Sequence, residues 1–493
     1  MGGAPMGASS LTTVLFGFIS VATFLYLWVR SRHDPISNLP GTWLSRWTNI
    51  EFLVEFVRGK QPKYIHSLFQ KYGPVVRVGP REVCFSDASA FRQIYNTKET
   101  FVKSPLYETI TDSPAPSIFS TADVELHRRH RRLLAPGLSE TSVSQMWSSV
   151  HSKVALTTHR MKEETEERGA ADVYKWWTFM TSEITGELTF GQSFGILEKG
   201  KKDAFTSDLG NGGAVLAALR LTLPFIIKLA EHVPLGIVTA ACKARKQTFR
   251  RADEMLEMHR QAVMADADNP RQSFFTRLFL AESEEKLSWQ EVRSNALTFL
   301  VAGTDTTANT LTYLIWAICQ RPEVKAILLQ ELNQLPENFD DTHLKSLSYL
   351  NQVIEETLRL YPAVATGLLR MVPPGGATIA GRHIPGGSTV SCQAYSLQRD
   401  PHIFPRPDEF DPARWASPTN EMKQVMMVWG GGARVCLGVH LARTELRLGT
   451  ACFFRAFPAA RMSSLEGMSE KDMEPEMIAF TEPKGHRCLI ECK

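Results

Sequence analysis

The sequence predicts a mainly α fold with small β-sheets (α+β): one helix-rich body over residues 34–493, behind a single N-terminal transmembrane helix within residues 1–33. Three observations lead there. No charged residue precedes Arg30, and residues 11–29 form 19 consecutive, mostly apolar positions. From about residue 123 onward apolar residues recur at helical spacing, while strand-like alternation is confined to short stretches punctuated by Gly and Pro. Neither a repeat period nor a linker rich in Ser, Gly or Pro divides the body, so the three domains that 493 residues alone would suggest collapse into one.

The elements follow in order. At 1.5 Å per residue the segment 11–29 would span ~28 Å, close to the ~30 Å hydrocarbon core of a bilayer. A signal peptide would carry its basic residues first; here Arg30, Arg32 and His33 follow the apolar run, which places the bulk of the chain in the cytosol. Residues 34–44 form a Pro-containing hinge. Residues 74–85 read as two strands about Gly79 and Pro80. Helices are expected at 123–134, 142–167, 173–188 and 252–267, then over 289–332 with a break at Pro322. The stretch 373–390 is β-like, and a helix follows over 439–454. The run 296–319 has one charge, Asp305, among six threonines and an asparagine. A carboxylate at mid-bilayer costs ~2.5–3.5 kcal/mol, so this run is a helix through a protein core, not a second span.

Composition removes other classes. Gly (32) and Pro (27) are at ordinary levels, which excludes collagen-like and low-complexity chains. A mean hydropathy of −0.15 excludes a polytopic membrane protein. A net charge of +3, diluted over the whole chain, excludes a dedicated nucleic-acid binder. The eight cysteines show neither a CxxC pair nor zinc spacing, and no N-x-[ST] sequon occurs; reduced cysteines on a cytosolic body fit both facts.

The segment from Trp429 to Gly438, WGGGARVCLG, is the most specific in the chain. Glycines at 430, 431, 432 and 438 allow backbone amides to approach the Cys436 sulfur. Those donors, Arg434, and the N-terminus of the helix that follows favour a thiolate. This segment resembles the heme-binding signature of the cytochrome P-450 family, Phe-x-x-Gly-x-Arg-x-Cys-x-Gly, matched at Gly432, Arg434, Cys436 and Gly438 with Trp429 in place of Phe. Ala302-Gly-Thr-Asp-Thr306 is similar to the family's oxygen-activation motif. The resemblance implies that Gly303 lets dioxygen lie against the helix, that Thr306 hydrogen-bonds the activated oxygen, and that Asp305 with water relays protons. Glu-x-x-Arg occurs four times, but only Glu356/Arg359 stands at the family's place; with Arg414 of Pro412-Ala-Arg-Trp415 it would form a structural clamp. His127 and Arg131, at i, i+4, resemble the family's propionate-binding pair, and Arg370 resembles another propionate partner. Arg128, Arg129 and Arg132 would face outward toward an acidic electron donor.

The implied protein is a membrane-anchored heme-thiolate monooxygenase of the fungal secondary-metabolite type, with residues 34–493 as its catalytic domain. It would hold heme b through the axial Cys436 thiolate to the iron and use O2. No G-x-G-x-x-G fingerprint occurs, and the 55 residues after Gly438 leave no room for a flavin domain. Two electrons would therefore come from a separate NADPH-dependent flavoprotein reductase, with cytochrome b5 as a further donor. The implied setting is the endoplasmic reticulum membrane. By resemblance the pocket draws on residues 104–122, 214–237, 299–306, 363–369 and 477–481, among them Phe299, Ala302, Val364, Leu368, Ile478 and Phe480. Its apolar character implies a lipophilic small molecule: a terpenoid, polyketide or alkaloid. Sterol, fatty-acid or xenobiotic oxidation, desaturation and ring closure stay open. A heme-binding membrane sensor is the non-enzyme alternative, which the Asp305-Thr306 pair opposes.

Overall fold

The computed structural model describes residues 35–493 except 112, 202–204, 206–235 and 282–285, and six positions before them. The predicted span 11–29 and the pocket segment 214–237 thus fall largely outside the described residues. Within the span Phe18, Val21, Leu25 and Val29 are helical and exposed. Among the described residues no helix is long and apolar enough to cross a membrane.

Five helices position the site: α1 (Val124–Leu134), α2 (Val173–Phe190), α3 (Trp289–Cys319), α4 (Ser348–Leu360) and α5 (Val439–Ala456). Their starts are chemically specified. Asp123 and Asp172 accept from the amides of Leu126 and Lys175, and Ser288 forms a capping box with Glu291 at the head of α3. α3 ends before Pro322, which opens the next helix, Pro322–Leu332. The expected helix 142–167 is two: Glu140–Gln145 and Trp147–Arg168 meet at Met146, whose ψ of 0° interrupts the spiral. The helix expected at 252–267 starts earlier and runs Gly236–Ala265.

α3 crosses the core. Leu311, Leu314, Ile315 and Ile318 are fully buried against protein, the second membrane span being thereby excluded on packing grounds. Gly303 is also a packing position. A β-carbon there would lie 2.7 Å from Thr185 Oγ1, so the bare backbone lets α3 approach α2 closely.

Five short strands form the main sheet: β1 (Val75–Gly79), β2 (Glu82–Phe85), β3 (Val102–Lys103), β4 (Arg370–Met371) and β5 (Thr389–Cys392), in spatial order β1-β2-β5-β4-β3. β1 and β2 are the hairpin expected about Gly79, β2 runs parallel to β5, and β3 faces β4 with Lys103 opposite Arg370. A smaller apolar core of Phe85, Tyr95, Val390 and Trp415 seals this sheet.

Candidate functional site

The Cys436 loop is shaped by glycine. Gly430 and Gly432 sit at φ 77° and 61°, and a β-carbon on Gly432 would collide with the Asn96 carbonyl oxygen. The Cys436 amide donates to Trp429 O at 2.7 Å, closing the turn, and Gly438 ends it as the N-cap of α5. Cys436 is exposed, yet the protein around its sulfur pushes the thiol pKa up, opposed by the Gly438 amide and by Arg131. On α3, Val301 (37%) is exposed although Leu300 (1%) beside it is sealed, and Ala302 is exposed too. Thr306 Oγ1 donates to Ala302 O at 2.6 Å, which leaves its lone pairs free.

The rim is strongly cationic. Arg131 donates to Val435 O at 2.9 Å. Arg434 donates to Glu99 (2.5 Å) and Thr121 O (2.8 Å). Arg370 is buried, bonds its neighbour's carbonyl, Leu369 O, and lies over the Tyr95 ring. Lys103, which no motif in the sequence marks, is buried between the Tyr107 and Phe119 rings and bonds Phe119 O. Its burial, with Arg370 and Arg434, holds its pKa well below the lysine range. His127 is buried 3.9 Å from Glu99 and is pushed down to about 3 by burial and by Arg434, Arg131 and Lys103, so its ring is neutral.

Among the described residues, Arg434 bonds Glu99, whose charge also acts on Arg131, and Asp123 acts on Arg434 from further off. Lys103 and Arg370 stand opposite each other across β3 and β4, and the repulsion from Arg370 is one cause of the lowered Lys103 pKa. Trp429 Nε1, Arg434 Nη2 and His127 Nδ1 are buried without a hydrogen-bond partner. The two carboxylates of a heme would supply negative charge to this rim and acceptors for the unpartnered donors, and Cys436 would supply the thiolate for its iron. The residues present fit a heme.

Glu356 is fully buried. It accepts from Arg359 (2.8 and 2.9 Å), Arg414 (3.0 Å), Trp415 Nε1 (2.9 Å) and the Asp411 amide (2.8 Å). Arg359 in turn holds the carbonyls of Gln398, Pro407 and Glu409. The three expected residues do come together. The outward-facing role expected for Arg129 is corrected: it pairs with Glu291, because α1 packs against the head of α3. Arg128 is exposed and pairs with Glu125.

Among the expected pocket residues, Leu368 lies 3.9 Å from where a Gly430 β-carbon would be, beside the loop. Thr481 bonds the carbonyls of Ala363 and Pro362, which sets the segment of half-buried Val364 next to that of Ile478 (42% exposed) and Phe480. Phe299 stacks on Phe275 and meets Phe274 edge-on.

Glu445, on α5, is another buried ionisable residue that no sequence pattern marks. It is buried against Thr307 with one carboxylate oxygen unpartnered, and burial raises its pKa to about 8. A carboxyl raised above its unfolded value contributes stability at low pH that is lost as pH rises from the unfolded value, about 4.3, through about 8. Glu445→Gln is expected to flatten the fall in melting temperature between pH 6 and pH 9, measured in matched thermal scans; equal slopes would refute this.

The family profile for cytochrome P-450 matches residues 40–489. The chain is 42% identical over 486 residues to the cytochrome P-450 monooxygenase tazI of Aspergillus terreus, covering 98% of this chain and 99% of that one. It is 38% identical over 473 residues to the monooxygenase orf2 of Aspergillus niger (96% of each). It is 30% identical to an averantin hydroxylase of Dothistroma septosporum, over 88% of this chain and 84% of that one. The structure of the retinoic acid bound cyanobacterial CYP120A1 matches in fold, with a TM-score of 0.73 and 22% identity over 92% of this chain and 98% of that one. The loop that shapes a thiolate, the cationic rim and these matches over nearly the whole length agree: the chain belongs to the cytochrome P-450 family and is an oxidoreductase of its monooxygenase class.

Proposed function

We propose that this monooxygenase oxidises a lipophilic small molecule of fungal secondary metabolism, with O2 and two electrons from a separate NADPH-dependent flavoprotein reductase. Cytochrome b5 is a further candidate donor. The observation that carries the reading is the exposed Cys436 in its glycine-shaped loop, with Arg131 and Arg434 bonded beside it. Bound heme would supply the reduction of dioxygen and the attack on an unactivated C–H bond.

The chain's own residues then have definable tasks. Cys436 would hold the iron through its sulfur, with the Gly438 amide and Arg131 favouring its thiolate. Arg434, Arg370, Arg131 and Lys103 would bind the two carboxylates, and neutral His127 would act as a hydrogen-bonding partner there. Thr306, already bonded to Ala302 O, can rotate its hydroxyl away from that carbonyl at the cost of one hydrogen bond, about 1 kcal/mol. Together with Asp305 it would deliver protons at that point. Ala302, Val364, Leu368, Ile478 and Phe480 present apolar atoms, which supports a lipophilic substrate. An averantin hydroxylase among the relatives supports hydroxylation as the reaction.

Membrane anchorage through residues 11–29, with residues 34–493 as a catalytic domain on the cytosolic side of the endoplasmic reticulum, belongs to the same proposal. The helix Ile50–Val57, close behind that segment, buries none of its residues, and Trp43 is 65% exposed, which supports a seat on a lipid surface. The test is the carbon monoxide difference spectrum of the reduced holoprotein. A thiolate-type Soret band is expected, and its absence with Cys436 intact would overturn the reading. Substrate class is then addressed by comparing the metabolites of strains with and without the chain.

A further inference from the structure

The proton-delivering segment of α3 rests on α2, and α2 presents two hydroxyls to it one turn apart. Thr181 Oγ1 lies 3.0 Å from Thr304 O, 2.9 Å from its own helix's Trp177 O and 3.2 Å from Thr178 O. Thr185 Oγ1 is buried without a partner and faces the bare Cα of Gly303. Both meet the backbone immediately before Asp305 and Thr306.

A hydroxyl has one proton, so Thr181 serves either its own helix or α3. Its local acceptor, Trp177 O, already has the backbone amide of residue 181 at the regular helical offset, and the bond there adds little. Bonding Thr304 O ties a carbonyl of α3 to α2 and competes with the ladder bond that this carbonyl offers to residue 308. Thr306 Oγ1 draws on Ala302 O within the same turn. The missing side chain at 303 allows the close approach that this needs.

We propose that Thr181 is a positioning residue for oxygen activation: its hydroxyl holds α3 at Thr304 and so sets where the Thr306 hydroxyl and the Asp305 carboxyl stand. The inference rests on the proton-delivery role given above to Thr306 and Asp305. When protons arrive in the wrong place, the two electrons from NADPH and two protons leave with dioxygen as hydrogen peroxide, and no oxygen enters the substrate.

The experiment measures hydrogen peroxide released per NADPH oxidised by the reductase-reconstituted holoenzyme. Thr181→Ser, which keeps the hydroxyl, is compared with Thr181→Ala and Thr181→Val, which remove it, and with Thr306→Ala. Peroxide per NADPH is expected to rise about threefold or more in the Ala and Val variants and to stay near the parent value in Ser. The carbon monoxide spectrum should be unchanged in all three. Ser and Ala share the loss of a methyl group, so equal behaviour of these two would mean packing and would overturn the inference, even if the Val variant fails to fold. Coupling retained in Thr181→Ala alongside uncoupling in Thr306→Ala would also overturn it while leaving the proton-delivery reading intact. Coupling retained in Thr306→Ala would remove that reading and the inference with it.

Discussion

Replacing Cys436 by serine is expected to abolish the thiolate-type carbon monoxide band and to lower monooxygenase turnover by at least about 1,000-fold, equivalent to ~4 kcal/mol of barrier. The fold should survive the change. The loop is closed by backbone, through the Cys436 amide on Trp429 O and the Arg131 guanidinium on Val435 O, and neither contact involves the sulfur. What is lost is a sulfur ligand that the Gly438 amide and Arg131 help to ionise against the effect of burial: an alcohol there has neither the acidity nor the electron push of a thiolate. Gly432→Ala reaches the same site by another route. It forces a β-carbon into the Asn96 carbonyl at φ 61°, so both loop and protein stability should suffer. Difference spectra beside far-ultraviolet circular dichroism separate the two cases. A Cys436→Ser protein that keeps the band would sink the assignment.

Glu356→Ala is expected to cost the folded chain ~3–5 kcal/mol, because it leaves two guanidinium groups in the core without a counter-charge. That is a large part of the ~5–15 kcal/mol by which native proteins are stable. The carboxylate gathers both arginines, the Trp415 indole and the Asp411 amide, and Arg359 spends its remaining protons on three carbonyls of the segment 398–409. Removing the hub thus unties α4 from the segment that leads to the Cys436 loop. Chemical denaturation of the variant should show a lowered midpoint together with poor heme retention. Arg414→Ala, which leaves the Arg359 pair in place, should be milder. Equal stability of Glu356→Ala and the parent would refute the clamp.

Much of the fold is legible in residue order. The caps at Asp123, Asp172 and Ser288 and the Pro322 break are local chemistry, decided within three or four residues. The register of Gly432, Arg434, Cys436 and Gly438 is likewise local, since a turn needs its glycines adjacent to the group it serves.

Other residues are invisible there because their roles depend on distant partners. Glu99 acquires a role only by meeting Arg434, 335 residues away in sequence, and Lys103 only by standing opposite Arg370. Neither belongs to a periodic or motif pattern, although a lysine in an apolar alternating pair is a weak signal of burial. Gly303 shows the reverse case. The motif around it is legible, but its function in packing is decided by Thr185 across the helix interface. Arg129 is drawn from solvent into an ion pair by the same kind of contact.

By itself, then, the sequence determined the helix-rich class, the thiolate loop and the order of the motifs, because short-range backbone and side-chain chemistry suffices for these. The tertiary structure alone decided which charges share the buried rim and where α2 touches α3. Burial and electrostatic balance are properties of the assembled chain, in which the cost of an uncompensated buried charge depends on every group folded around it.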